Sequence, residues 1–523
     1  MMKPTLAFVA ALGIAASVSA APVRTASGLI EGTVSADGAV NIFKGIPFAA
    51  PPTGELRWKA PQPVAAWQGV RKATEFGPRC MQGRIFDDMV FRDSGPSEDC
   101  LYLNVWAPAH ADSPLPVMVW IYGGGFQAGA ASEPRQDGEK LAHKGVIVVS
   151  MNYRLGIFGF FSHPELTKES GHNSSGNYGF LDQLAALRWV HDNIRAFGGD
   201  PENVTIFGES AGSMSVNAQV TSPLSAGLFK QAIGESGGDF GLSSAIPPLT
   251  QSEQTGARFA AEIHAPTLKD LRAKSAQDLL AASLKDRNAF RFWPNVDGYF
   301  FPESPVAIYQ AQKQNHVAVL AGWNTDEMNA AAFFGQKPHT RENYNAKLQQ
   351  MFGDQADEAL KLFPAGNPEE MEHSAGQLAS AQFIAYSTWK WLEFEAHTPG
   401  VRAYRYHFEQ APPVEGGGPS RGAYHSADIE YVFETLDWKK LPWTDTDRRV
   451  SEQMSSYWTN FAKTGNPNGS GLPEWPQYAP SEFPVMHIGS KTEAAPDSMR
   501  QQYLFLDSVA AKRMKESSSA QRP

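Results

Sequence analysis

Cysteine is nearly absent from this chain: 523 residues contain only Cys80 and Cys100. Two cysteines that far apart, with no paired histidines nearby, argue against a structural metal site and leave either one disulfide or two buried thiols. Long apolar runs are also missing. After residue 20, none approaches the roughly 20 residues that a membrane-spanning helix needs. Basic charge is scarce as well: 45 Lys and Arg stand against 55 Asp and Glu, for a formal net charge of −10. No basic run offers the footprint that phosphate neutralisation requires, so nucleic-acid binding is disfavoured. There is no internal repeat and no clean linker. One large domain, residues 21–510, is therefore the expectation, although length alone suggests about three.

Hydrophobic residues make up 42% and charged residues 19%, a globular composition with ample material for a core. The first twenty residues read as a secretory signal. Lys3 gives a positive start, "LAFVAALGIAA" (6–16) an apolar stretch too short to span, and "VSA" (18–20) a small-residue cleavage site. Cutting after Ala20 predicts a mature chain beginning at Ala21, exported to the periplasm or beyond. In such a chain an even cysteine count favours a Cys80–Cys100 disulfide. Asn173, Asn203 and Asn468 fit the glycosylation pattern, although Asn203 enters a strand-like run. The segment 511–523 is polar and low in complexity, and is expected to be a disordered tail.

Unbroken β-branched runs at "PVMVWIY" (116–122), "VIVVSMNY" (146–153), "NVTIF" (203–207) and "VAVLAG" (317–322) predict buried strands. Between the second and third, Leu181, Leu184, Leu187 and Ile194 recur at helical spacing, and Gly198–Gly199 supply a stop. Strand–helix–strand alternation argues for an α/β fold with a mostly parallel central sheet. Residues 41–58 read as a turn-rich stretch before that sheet, and 411–424 as a long flexible loop.

Two stretches, "GESAGS" (208–213) and "GESGGD" (234–239), both contain Gly-x-Ser-x-Gly. The first comes after a strand and opens a plausible helix, the context that a nucleophile elbow requires. The second runs into glycines and prolines without helical period. Context thus favours Ser210 as the nucleophile and leaves Ser236 as the alternative. The glycines of "YGGGF" (122–126), directly after a buried strand, leave backbone N–H groups unobstructed, as an oxyanion hole needs.

These segments, with "EDCLYLNVW" (98–106), "NYRLGIFGF" (152–160), "FGGDPENVTIFGESAGS" (197–213), "WNTDE" (323–327) and "GAYHSADIEYVF" (422–433), resemble the type-B carboxylesterases, from about Val23 to an expected strand near Leu506. The resemblance implies an α/β-hydrolase fold and a Ser–Glu–His triad without metal or cofactor. Position by position it implies Ser210 as nucleophile, Glu327 as acid and His425 as base, with Gly124, Gly125 and the N–H of Ala211 as oxyanion donors. Asp326, next to Glu327, is the alternative acid. His339, His373, His397, His407 and His487 read as structural. Ser236 matches a family serine that supports the acid, and Glu235 stands where the family usually has Gln. An unperturbed imidazole predicts a rate that rises through roughly pH 6–7.

The implied substrate is a small-molecule ester. Phe290, Phe292 and Trp293 lie in a segment matching the family's acyl-side wall, with ordinary core packing as the other reading. The loop between the cysteines offers Phe86 and Phe91 but no Trp, which weakens a cholinesterase reading. Arg291 or Arg84 would favour an acidic ester, but sequence does not fix where either points. An acyl hydrolase specialised for amides, lactones or a polyester remains open, and so does a catalytically silent binding member of the fold.

Overall fold

The apolar runs predicted as strands form the middle of a twisted mixed sheet. The computed structural model describes residues 19–242, 246–480 and 482–520. In chain order the sheet uses β1 (Thr33–Val34), β2 (Val40–Pro47), β3 (Tyr102–Pro108), β4 (Leu115–Ile121), β5 (Ile147–Met151) and β6 (Gly199–Glu209). It continues with β7 (Gln231–Glu235), β8 (Ala318–Asn324), β9 (Ala403–Phe408), β10 (Pro484–Ile488) and β11 (Glu493–Pro496). The spatial order is β11-β10-β9-β8-β7-β6-β4-β5-β3-β2-β1. Strands from β5 to β10 pair in parallel, with antiparallel strands at both flanks. This is the α/β-hydrolase architecture.

Burial explains the central strands. Val117 to Ile121, Ile147 to Val149 and Ile206–Phe207 are fully enclosed, because helices cover both faces of a parallel sheet. The helix Tyr178–Asn193 fills one crossover. It ends earlier than its sequence period suggests, passing into a 3₁₀ turn at Ile194–Phe197 and stopping at Gly198 with φ +86°. The helix Asp445–Thr464 begins with a Thr444/Asp447 capping box and carries Trp458 into the core beneath the sheet's C-terminal ends.

Two further expectations change. The stretch 41–58 is not all turn, because its first part is strand β2 paired with β3. The C-terminal segment, expected to hold a strand near Leu506 and a disordered tail from 511, is helical to Ala520, within Arg500–Ala520. Burial of Tyr503, Leu506 and Val509 anchors that helix, and Lys512 pairs with Asp354 at 3.0 Å, contacts that composition alone does not reveal. Asn468 is tied down by its own side chain, which bonds Trp475 at 2.9 Å. Cys80 and Cys100 form a disulfide. The segment expected to be a secretory signal lies outside the described residues except for Ser19 and Ala20. The latter is buried, and its N–H donates to Gly32 O at 3.1 Å.

Candidate active site

Ser210 stands where β6 turns into the helix Ala211–Thr221, with φ 56° and ψ −122°. A side chain is held in that sparsely populated region only by strong surroundings. Here they are close packing: a Cβ on Gly212 would come within 2.0 Å of Ile121 O on β4. The Ser210 N–H donates to Glu235 O on β7 at 2.8 Å, pinning the turn to the neighbouring strand. The helix N-terminus lies directly behind the serine, where it favours developing negative charge.

Glu327 lies just past β8 and His425 sits in the loop after β9, so three strand ends converge. His425 Nε2 lies 2.9 Å from Ser210 Oγ, and His425 Nδ1 lies 2.5 Å from Glu327 Oε2. Glu327 Oε1 accepts from Asn324 N at 2.8 Å and from the Ser236 hydroxyl. The carboxylate is therefore held on both oxygens. Asp326 does other work: its carboxylate accepts from Ala423 N at 2.9 Å and stitches down the histidine loop. The histidines expected to be structural have local partners: His339 meets Glu372 at 2.7 Å, His373 meets Gln377 at 2.9 Å, and His397 donates to Glu393 O at 2.6 Å. His407 and His487 flank Glu409, the one group among the described residues with metal-ligand spacing, which is outside this site.

A cavity of about 570 Å³ opens over Ser210 and His425, bordered by Gly124, Gly125 and Ala211. Gly124 adopts φ +105°, and a Cβ there would meet Ala128 O at 2.2 Å, so this loop tolerates no side chain. Phe86 and Trp293 border the cavity. Phe290, Phe292 and Phe91 do not. Phe290 and Phe292 turn inward and pack edge-on against Phe259, with ring centroids 5.4 and 5.2 Å away. Phe91 lies under the Arg79 guanidinium at 4.7 Å. Alternation along the 290–293 segment sends these rings to the core and Trp293 to the wall.

Several contributors were missed from sequence. Glu209, the residue before the serine, places Oε1 3.3 Å from His425 Nε2. Burial is the main cause that raises its pKa to about 8. Burial alone would lower His425, but the facing charges of Glu209 and Glu327 outweigh it and lift the imidazole to about 9. Asp428 accepts from Asn324 and Tyr406 and is raised by burial to about 6. Glu235, the departure at the family's Gln position, accepts from Trp458 Nε1 at 2.6 Å, and burial pushes its carboxyl well up. Phe383, on a π-helical turn at Ala381–Ala385, covers His425 edge-on at 4.8 Å. The only sequence signal for Glu209 and Asp428 was their place inside the serine and histidine motifs.

The sequence profile of the carboxylesterase family matches residues 19–506. The chain is 38% identical to the fumonisin B1 esterase of Sphingopyxis macrogoltabida, over 90% of this chain and 86% of that protein. It is 36% identical to the para-nitrobenzyl esterase of Bacillus subtilis (strain 168), over 92% and 98% of the two chains. A solved PNB esterase structure superposes with a TM-score of 0.80 at 35% identity, covering 92% of this chain and 99% of that one. With the sheet, the elbow and near full-length similarity all in agreement, the chain belongs to the carboxylesterase family and is a carboxylic-ester hydrolase.

Proposed function

We propose that the protein hydrolyses small-molecule carboxylic esters through an acyl-enzyme on Ser210. The observation that carries this reading is the unbroken chain Ser210 Oγ–His425 Nε2 (2.9 Å) and His425 Nδ1–Glu327 Oε2 (2.5 Å) beneath a cavity. Glu327 accepts the Nδ1 proton and so fixes the tautomer that leaves Nε2 free to accept from the serine hydroxyl. As Ser210 Oγ bonds to the ester carbonyl carbon, His425 takes its proton and Glu327 stabilises the imidazolium. The carbonyl oxygen gains negative charge, which the N–H groups of Gly124, Gly125 and Ala211 stabilise. Collapse expels the alcohol, which takes the proton from Nε2. Water, deprotonated by the same nitrogen, then releases the acid and restores the serine.

Rapid-mixing kinetics with para-nitrophenyl acetate tests the scheme. A burst of one nitrophenolate per Ser210 followed by slower turnover is expected if deacylation limits, and mass spectrometry of the quenched protein should place the acetyl group on Ser210. Turnover with the acetyl group found elsewhere would overturn it.

The disulfide supports export, because such bonds persist in oxidising compartments. Intact-mass measurement of the secreted protein should show an N-terminus at Ala21. A chain that keeps its first twenty residues would overturn the signal assignment.

A further inference from the structure

Arg291 separates two cavities. It borders the one above Ser210 and also a second of about 480 Å³, and Trp293 borders both. Its guanidinium lies 3.7 Å from the centroid of the Trp293 ring, which fixes a flexible side chain on a flat face. Trp293 is itself held edge-on by Phe126 of the oxyanion loop at 4.9 Å. Arg84, the other candidate from sequence, pairs with Asp87 at 3.2 Å.

The charges around Arg291 are unbalanced. Among the described residues no carboxylate pairs with Arg291 or with Arg258, which lines the second cavity. The other polar residues of that wall, Gln251, Ser252, Thr255 and Asn288, are neutral, the remainder is apolar, and no Asp or Glu borders it. Asp286, the acid nearest in sequence, turns its carboxylate to the N–H groups of Asn288 and Ala289 at 3.1 and 2.9 Å. In the catalytic cavity, Arg135 is matched by Glu133 at 2.7 Å. Glu209 faces His425 at 3.3 Å, and burial pushes Asp239 towards its neutral form. Asp88 lies 3.7 Å from Arg135. What remains is an uncompensated guanidinium at the junction, in a protein whose overall charge of −10 does not attract anions.

We propose that Arg291 and Arg258 form a carboxylate-binding subsite, so that the preferred substrates are esters carrying a second, free carboxylate. This inference rests on the esterase reading and names its substrate class. Ser210 and Arg291 border the same cavity, and Arg258 borders the next one beyond Arg291 and Trp293, so shorter esters would meet Arg291 and longer ones Arg258. The planar guanidinium suits a carboxylate in two-point contact, and the neutral amides and hydroxyls around Arg258 accept or donate without competing charge.

Two substrate series test this and distinguish the side that carries the charge. Monoethyl succinate, glutarate and adipate place the carboxylate on the acid part and are compared with ethyl butyrate, valerate and hexanoate. Acetyl esters of glycolate, 3-hydroxypropionate and 4-hydroxybutyrate place it on the alcohol part and are compared with propyl and butyl acetate. A kcat/KM roughly 10-fold or more in favour of the charged member of one series is expected, the scale of a charge-assisted hydrogen bond. That ratio should fall towards one in Arg291→Met, fall partly in Arg258→Gln, and be partly kept by Arg291→Lys. Because the readout is a ratio within one variant, a general loss of folding or catalysis cancels. Calorimetric binding of monoethyl glutarate and of 4-acetoxybutyrate to Ser210→Ala, with and without Arg291→Met, gives the same comparison without chemistry. If no ester of either series, charged or neutral, is hydrolysed, the esterase reading fails while the binding arm still decides the subsite. No preference in either series, or a preference that survives Arg291→Met with Arg258→Gln, overturns the inference.

Discussion

Ser210 and Ser236 occupy matching positions on adjacent parallel strands. β6 and β7 pair Gly208 with Gly234 and Glu209 with Glu235, so the two Gly-Glu-Ser stretches lie in register. Both serines leave their strands with positive φ, 56° and 55°. Each N–H donates to the next strand at 2.8 Å, Ser210 to Glu235 O and Ser236 to Gly322 O. Their hydroxyls then end a single chain, Ser210–His425–Glu327–Ser236, approached from its two sides. Repetition in the sequence is thus repetition of a backbone device, and the difference in role comes from the residues C-terminal to each serine. Ala211–Thr221 is a helix, whereas Gly237 must pass close to the first elbow, where a Cβ would meet Ser210 O at 2.4 Å.

The carboxyl of Glu209 lies 3.3 Å from the proposed base, His425. His425 must be neutral to accept a proton, and the acids around it lift its pKa to about 9. The rate should therefore rise with pH with a midpoint above the ordinary imidazole value near 6.5, which revises the pH 6–7 rise expected from sequence. Glu209→Gln removes one of the charges that raise His425, so the midpoint should move down. Profiles of kcat/KM on a neutral ester check both. An unchanged midpoint in Glu209→Gln would show that the 3.3 Å approach has no influence on the base.

Glu235 is buried with one carboxyl oxygen unpartnered, and its pKa is pushed well above 4.5. The folded protein keeps the proton, while an unfolded chain releases it above about pH 4.3. The stability this gives is full below that pH and declines as pH rises, by up to about 1.4 kcal/mol per unit until the folded pKa is reached. Glu235→Gln keeps an acceptor for Trp458 and removes the titration. Relative to wild type it should gain stability progressively from pH 5 to pH 8 and change activity little. Denaturant unfolding at several pH values measures this, and a constant difference across the range would count against a protonated Glu235.

Removing the Cys80–Cys100 bond should lower the unfolding free energy by about 3 kcal/mol, the chain-entropy value for a separation of 20 residues. The loop it closes carries Phe86, Asp88 and Met89 to the cavity wall. Cys80→Ser with Cys100→Ser should therefore also raise KM more than it lowers kcat. Equal stability and unchanged KM would leave the disulfide without either role.

How much of this was legible depends on how local each cause is. β4, β6 and β8 were readable because buried parallel strands are continuous apolar runs, and the elbow because glycine punctuates it on both sides. β2 was read as turn because Lys44, Gly45 and Pro47 interrupt its pattern, and pairing with β3 overrides them. The Arg500–Ala520 helix was missed because its early turns are stabilised by contacts with distant residues. At the site, Ser210, Glu327 and His425 came from motif order. Glu209 occupies the variable place of Gly-x-Ser-x-Gly, and only the fold turns its side chain towards His425. Phe290 and Phe292 were misplaced because an aromatic run states apolarity and not direction.

The final prediction separates the two serines. Ser236 donates to a carboxylate oxygen that, among the described residues, otherwise accepts only from Asn324 N, and it is wholly buried. Ser236→Ala deletes one hydrogen bond to a charged group, worth about 1.5–3 kcal/mol. If all of it is felt in the transition state, kcat/KM falls roughly 10- to 100-fold. The part not felt there appears as lost stability, because Glu327 stays buried and short of a donor. Ser210→Ala removes the hydroxyl proposed to form the acyl-enzyme, so its loss should be larger by orders of magnitude, with folding retained. A fluorophosphonate should label Ser210 in wild type and, more slowly, in Ser236→Ala, and leave Ser236 unlabelled in both. Kinetics, denaturant unfolding and peptide mapping on the two variants decide the matter. A phosphonyl adduct on Ser236, or a Ser236→Ala protein as inactive as Ser210→Ala and equally stable, would reverse the assignment.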